Sequence, residues 1–250
     1  LTDRLGNACA AVEVALNGRE QGLESLEILA PFAVGDLLGG ALHGLSRAGA
    51  GRHAAGAAVT TLVAVKKNGM AAIAADSLTT FGDTRLGRQY KGEHDKILEI
   101  NGSFIGLCGS SAHPLVISSL LPKLEDARLG SRMEVYETFR RLHPILKEQG
   151  YLNPKEDEDD PYESSQITAL IVNNTGIYGV YSYREVFDYD RFWGIGSGRN
   201  FALGAMFAAY DRCKTAADVA KIGVMAGAEF DTATQGPIVL HTIKLARSRK

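Results

Sequence analysis

From residue 60 onward the apolar positions fall into runs whose lengths and periods predict discrete elements. Residues 61–65 and 70–75 are two near-continuous apolar runs, and Asn68-Gly69 lies between them. That is a strong short-range hairpin signal. The hairpin is expected to return Asp76 to the side of Thr60, the residue that opens the first run. Residues 77–84 read as a short strand with a Gly82-Asp83 turn, and Ile97 to Ile100 as a further strand. Phe104 to Cys108 is a strand ending at Gly109, after which a helix begins with Ser110 or Ser111 as its N-cap. Two helices follow. Val116 to Leu124 is apolar, and Met133 to Gln149 carries helical spacing through Val135, Phe139, Leu142 and Leu146. Gln166 to Val172 and Gly176 to Tyr181 form a second hairpin around Asn173-Asn174-Thr175-Gly176. Helices over Phe201 to Tyr210 and Ala216 to Glu229 and a last strand from Ile238 to Leu245 complete the pattern. Hairpins, a helix pair, more strands, a second helix pair and a final strand predict an α+β fold, a four-layer α-β-β-α sandwich.

Residues 1–59 have a different character. They hold 13 Ala and 10 Gly and no Lys. A weak amphipathic patch from Leu23 to Leu45 is the one helix candidate. No basic region leads into a single apolar block, so the segment does not read as a secretory signal. Three readings are open: a propeptide removed to expose Thr60, a retained extension, or residues upstream of the true translation start. Val59, where an initiator would precede Thr60-Thr61, points to the third, because valine is the literal translation of a GTG start codon. On either of the first and third readings, residues 60–250 form the mature domain.

Composition changes the picture little. The chain has 250 residues, 45% of them apolar and 22% charged, which suits one sizeable core. Residues 1–59 carry 4 basic and 6 acidic side chains and account for the whole net charge of −2, leaving 23 against 23 from Thr60 onward. Binding to nucleic acid or another polyanion is not expected. Cys9, Cys108 and Cys213 form no CxxC or Cys/His ligand spacing, so neither a disulfide framework nor a zinc site is expected. No apolar run reaches the roughly 18 residues of a membrane helix. The acidic stretch between Pro154 and Pro161 does not have the spacing of an EF-hand loop. It reads as a solvated loop, or as one that faces a pore or a partner.

The candidate chemistry starts at Thr60. An N-terminal threonine carries a hydroxyl nucleophile and a free α-amine on one residue. The amine has a pKa of about 7.7–8.0 and so can act as the base. The stretch TTLVAVKKNGMAAIAAD, with Asp76 sixteen residues after Thr60, resembles the opening of mature proteasome-type β subunits and of their bacterial relative HslV. Both are N-terminal nucleophile hydrolases. The likeness is greatest to the proteasome homologue of beta-proteobacteria and extends from Thr60 to Leu245.

The resemblance implies the roles of the remaining residues. Lys96, leading into the strand at Ile97, matches the catalytic lysine, with Lys91 as the fallback because four extra residues precede Lys96. A cation there would favour the Thr60 alkoxide, and Asp76 would keep it charged. Gly109 would donate its N–H to the oxyanion. Thr80 matches a residue that contacts the substrate backbone, and Ser110 is placed with it in the cleft. Ile195-Gly196-Ser197-Gly198 resembles the family's IGSG segment, which makes Ser197 the partner of the N-terminal amine. The rival reading of these glycines as a phosphate loop lacks the G-K-[ST] signature. Asp231 and Thr234 match the family's D-x-x-S-G-G segment, with Thr234 for the serine and Gln235 for the first glycine, and would complete the polar shell around Thr60.

The activity thus implied is that of a cytoplasmic threonine endopeptidase using no metal or organic cofactor. By resemblance its subunits would assemble as a double ring of 12 or 14, with the family likeness favouring 14. An ATP-dependent unfoldase would feed it unfolded polypeptide. The alternative is a non-catalytic ring scaffold that keeps its N-terminal extension. An amidohydrolase of the same fold acting on small amides is the third reading.

Overall fold

The computed structural model describes residues 60–92, 95–154 and 160–246. The expectations placed on residues 1–59 and on the acidic loop at 155–159 lie outside the described residues. Eleven strands and four α-helices occur among those described.

The first sheet is built on the expected hairpin. Strand β1 (Thr61–Lys67) and strand β2 (Met70–Ala75) pair antiparallel through the Asn68-Gly69 turn, where both residues take positive φ. Strand β10 (Phe192–Gly196) pairs with β1, and strand β11 (Val239–Lys244) with β2, to give the order β10-β1-β2-β11. The second sheet runs in order through β5 (Ile97–Ile100), β6 (Ser103–Cys108), β7 (Thr168–Val172), β8 (Ile177–Val180) and β9 (Val186–Tyr189). A small hairpin of β3 (Thr79–Phe81) and β4 (Thr84–Leu86) stands apart from both.

Helix α1 (His113–Leu120) and helix α2 (Arg132–Glu148) cover one sheet; helix α3 (Arg199–Ala209) and helix α4 (Ala216–Phe230) cover the other. Helix α2 opens on a Ser131 cap and a carboxylate bond that reaches back past it. Ser131 Oγ accepts from the Glu134 N–H at 3.2 Å, and the Glu134 carboxylate accepts from the Gly130 N–H at 3.0 Å. Thr215 caps α4 in the same manner, accepting from the Asp218 N–H at 3.1 Å. The expected serine cap of α1 is not what forms. Ala112 occupies the N-cap position without a side-chain bond, and Ser110 Oγ accepts from the Ala112 N–H in the turn ahead of the helix.

The period of two along each strand explains why four layers form. On β1, Leu62 and Ala64 face the second sheet, while Val63 and Val65 face α3 and α4. On β2, Ala71, Ile73 and Ala75 take the first side, Ala72 and Ala74 the second. On β7, Leu170 and Val172 meet the first sheet, whereas Ala169 and Ile171 lie under α1 and α2. The central strands β1 and β2 are buried on both faces, which is why they read as unbroken apolar runs rather than alternating ones. Gly106 on β6 gives room to Leu62 of the facing sheet, since a Cβ there would overlap the Leu62 side chain.

Candidate active site

The site lies at the end of the first sheet where β1 begins, β2 ends and β10 ends. In the β1–β2 register Leu62 faces Ala75, so the next pair outward is Thr61 and Asp76. The Asp76 N–H donates to the Thr61 carbonyl at 3.1 Å, and the Thr61 N–H donates to Asp76 Oδ1 at 3.0 Å. The hairpin therefore does return Asp76 to the start of β1.

Asp76 is 1% exposed and both of its oxygens are fully used. Besides the Thr61 N–H, Oδ1 takes the Lys96 ammonium at 2.7 Å. Oδ2 accepts the Leu78 N–H at 3.0 Å and the Gln235 N–H at 3.3 Å. Lys96 immediately precedes β5, and its carbonyl accepts the Leu107 N–H at 3.0 Å. That bond sets Lys96 beside the end of β6, and Gly109 follows β6 directly with φ +108°. Burial lowers the pKa of Lys96 below that of an ordinary lysine, against the upward pull of Asp76. The fallback, Lys91, points elsewhere: its ammonium donates to Thr79 Oγ1 at 3.0 Å.

Ser197 lies on the other side of Thr60. The Thr60 N–H donates to Ser197 Oγ at 3.3 Å, and the Gly198 N–H donates to the Thr60 carbonyl at 3.4 Å. Ser197 Oγ donates to Asp231 Oδ2 at 2.7 Å. Gly196 has φ +95°, and a Cβ there would run into the Thr60 carbonyl. Glycine is required twice over, for its left-handed backbone and for the close approach. Thr234 Oγ1 donates to Asp231 Oδ2 at 2.6 Å and lies 2.8 Å from Thr61 Oγ1. Thr234 thus meets the nucleophile segment through the Thr61 hydroxyl.

The structure brings Thr60, Asp76, Lys96, Ser197, Asp231 and Thr234 into one network. Thr80 is half-buried on β3 opposite Arg85, and Ser110 is exposed on the turn into α1. Sequence reasoning missed two participants. Thr61 supplies both an N–H to Asp76 and a hydroxyl to Thr234, and the register of the hairpin could have shown the first of these. Gln235, read only as a departure from a glycine, binds the aspartate through its backbone: its N–H reaches Asp76 and its carbonyl accepts the Ser77 N–H at 3.0 Å. Backbone bonds leave no mark on residue type, so no sequence signal was available there. Cys108 sits at the end of β6, where burial pushes its thiol up to about 12 and leaves it inert. Among the described residues no group of three His, Cys, Asp or Glu side chains is placed to hold a metal, and no helix is long and apolar enough to cross a membrane.

Two buried sheets between two helical layers, with a threonine at the head of the central strand, define the class: an α+β protein of the N-terminal nucleophile hydrolase fold. The relatives narrow this further. BPH of Thiobacillus denitrificans is 36% identical, with a TM-score of 0.70 over 75% of this chain and 99% of that one. Its complex with epoxomicin matches at 35% identity and the same TM-score, over 75% and 100% of the two chains. The ATP-dependent protease subunit HslV of Caulobacter vibrioides is 26% identical over 195 residues, 74% of this chain and 93% of the relative. Eukaryotic HslV from Trypanosoma brucei, 16% identical with a TM-score of 0.56 over 74% and 99% of the chains, shares the fold. No profile of a known protein family matches the chain. The chain belongs to the HslV-like proteasome-type threonine peptidase family.

Proposed function

We propose that this chain is a threonine endopeptidase subunit whose nucleophile is Thr60 once that residue is N-terminal. The observation that carries the reading is the buried Asp76, which ties the start of β1 to the Lys96 ammonium at 2.7 Å. In the 250-residue chain the Thr60 nitrogen is an amide; loss of residues 1–59 turns it into an amine at the same place, beside Ser197.

Thr60 Oγ then attacks the peptide carbonyl carbon, and its proton passes to the α-amine. Ser197, held by Asp231, orients that amine. Lys96 stabilises negative charge on Oγ, and its lowered pKa makes it a readier proton donor than a surface lysine. The Gly109 N–H receives the developing oxyanion. The tetrahedral intermediate collapses as the leaving amine takes the proton, giving an ester to Thr60. Water attacks the ester and frees the acid and the hydroxyl. The double ring of 12 or 14 subunits, with 14 favoured, and the delivery of unfolded polypeptide by an ATP-driven unfoldase rest on kinship. The ATP-dependent protease subunit from Caulobacter supports the unfoldase. A cytoplasmic setting follows from the same kinship. Because BPH was solved with epoxomicin, that compound is the first ligand to try here.

The test is intact mass and N-terminal sequencing of protein expressed from its native start region, followed by turnover of fluorogenic peptides. A chain beginning at Thr60 should cleave them, and Thr60→Ala should lose at least about a thousandfold in kcat/KM. A chain that keeps residues 1–59 has no Thr60 amine and would leave the scaffold reading in its place. Turnover of small amides in preference to peptides would favour the amidohydrolase.

A further inference from the structure

We infer that His113 is a positioning residue for the peptidase reaction: its ring walls one side of Gly109 and holds the Gly109 N–H in the orientation that receives the oxyanion. The inference rests on the peptidase reading above and adds to it the part that keeps the oxyanion donor aimed.

Gly109 follows β6 directly with φ +108°, in the left-handed region that favours glycine. A glycine has no Cβ to limit rotation of the peptides on either side of it. Something outside the residue must therefore fix the direction of its N–H, because an oxyanion donor helps only if it is aimed before the charge develops. The glycines of positive φ among the described residues divide accordingly. Gly69, Gly82 and Gly102 have open space where a Cβ would stand. Gly196 is pressed against the Thr60 carbonyl, and Gly109 against the His113 ring, whose Cδ2 and Nε2 lie 3.4 Å from the Cβ position. The two glycines assigned to the site are the bounded ones.

Local structure brings the ring there. His113 opens α1, four residues after Gly109. Its N–H donates to the Ser110 carbonyl at 3.1 Å, and the Ala112 N–H donates to Ser110 Oγ at 3.2 Å. The turn they close curls the first residue of the helix back over the end of the strand. The ring is also tied to the Gln166 backbone by a hydrogen bond. Gln166 is itself pinned: its N–H donates to Ser164 Oγ at 3.0 Å, and its side-chain amide donates to the Asn153 carbonyl at 2.7 Å. Two residues further on, Thr168 pairs with Cys108, the neighbour of Gly109. His113 thus bridges the end of β6 and the approach to β7. Burial lowers its pKa below 6.5, with the Gln166 bond opposing the shift, so the ring is a neutral wall at pH 7.

Without the ring the Gly109 N–H is still present but spends part of its time turned away. The rate then falls with the fraction of competent conformers, by less than the hundredfold or more, roughly, that follows removal of an oxyanion donor. Contacts that bind the ground-state substrate are untouched, so the loss falls on kcat and not on KM.

The test uses protein that begins at Thr60, with fluorogenic peptide kinetics, inhibition by a peptide aldehyde and melting temperature measured on each variant. His113→Ala should lower kcat about tenfold with KM within about twofold. The aldehyde, whose hemiacetal oxygen takes the oxyanion position, should weaken by a similar factor. His113→Phe keeps a ring against Gly109 and loses the bond to Gln166, so it should melt lower than the parent yet hold kcat within about threefold. If the alanine variant does not assemble, His113→Gln, which keeps a donor and loses the ring, should show the same fall in kcat. A kcat that follows melting temperature through both the Ala and Phe variants would reduce His113 to a structural residue. An Ala variant with parental kcat, or with its loss in KM alone, overturns the inference and leaves the peptidase reading standing. A parent that cleaves no peptide overturns both.

Discussion

Asp76 Oδ1 lies 2.7 Å from Lys96 Nζ, and the two side chains are 0% and 11% exposed. The same oxygen holds the Thr61 N–H at 3.0 Å. One buried carboxylate thus fixes both the position of the cation and the backbone that presents Thr60. A buried ion pair is costly unless its remaining lone pairs are satisfied, and here two further backbone N–H groups satisfy them.

Removing the negative charge should therefore be worse for the fold than removing the positive one. Asp76→Asn would turn an NH2 group towards donors and remove the carboxylate that holds the buried Lys96 ammonium at 2.7 Å, a loss of roughly 3–5 kcal/mol. For a chain of this size that is on the order of 10 °C in melting temperature. Lys96→Met keeps the volume and leaves Asp76 with its three backbone donors, so the thermal loss should be smaller. Peptidase activity should collapse in both. Differential scanning calorimetry of the two variants checks the order. An Asp76→Asn protein melting within a degree of the parent would refute the account of the network.

The architecture was largely legible in the sequence because its two central strands are apolar on both faces and its turns carry strong signals, Asn68-Gly69 above all. The expected helix from Met133 to Gln149 forms as Arg132–Glu148, and the one expected from Ala216 to Glu229 as Ala216–Phe230. The helix near Val116 was displaced. It starts at His113, with Pro114 in its first turn, and gives way to a tighter turn over Leu121–Lys123. An apolar count alone marks the middle of a helix and not its ends. At the site, side-chain partners such as Ser197 and Asp231 could be named from motif likeness. Lys96 was preferred to Lys91 because it leads directly into the β5 strand, and the fold shows Asp76 holding Lys96 while Lys91 binds Thr79. Thr61 and Gln235 act through backbone groups that residue type does not encode.

The contact of Gly106 with Leu62 predicts a coupling between the two sheets. A methyl group at Gly106 would overlap the Leu62 side chain, so Gly106→Ala should cost about 1–3 kcal/mol through overpacking. Leu62 is fully buried, and Leu62→Ala should cost about 2–5 kcal/mol through the cavity it leaves. Combined, the new methyl occupies part of that cavity. The double variant should be more stable than the sum of the single losses by about 1 kcal/mol. Urea unfolding of the four proteins measures the coupling, and simple additivity would show that the sheets have room to move apart.

His143 gives the fold a pH dependence above the range where carboxylates titrate. Its Nε2 lies 3.0 Å from Glu163 Oε2, while its Nδ1 is buried and has no hydrogen-bond partner among the described residues. Burial lowers its pKa below 6.5, Glu163 opposes the shift, and Arg184 and Lys147 add to it. His113, also lowered by burial, acts in the same direction. A histidine depressed in the folded state binds fewer protons there than in the unfolded chain, which titrates near 6.5. Stability is then full above that pH and falls as the pH drops through 6.5, until the folded-state pKa is passed. The melting temperature should decline from pH 7.5 to pH 5.5 at constant ionic strength. His143→Gln, which cannot take up a proton, should reduce that decline, and adding His113→Gln should reduce it further. An unchanged decline in the double variant would assign the pH dependence to other groups. A melting temperature that rises over the same interval would contradict the sign of the shift itself.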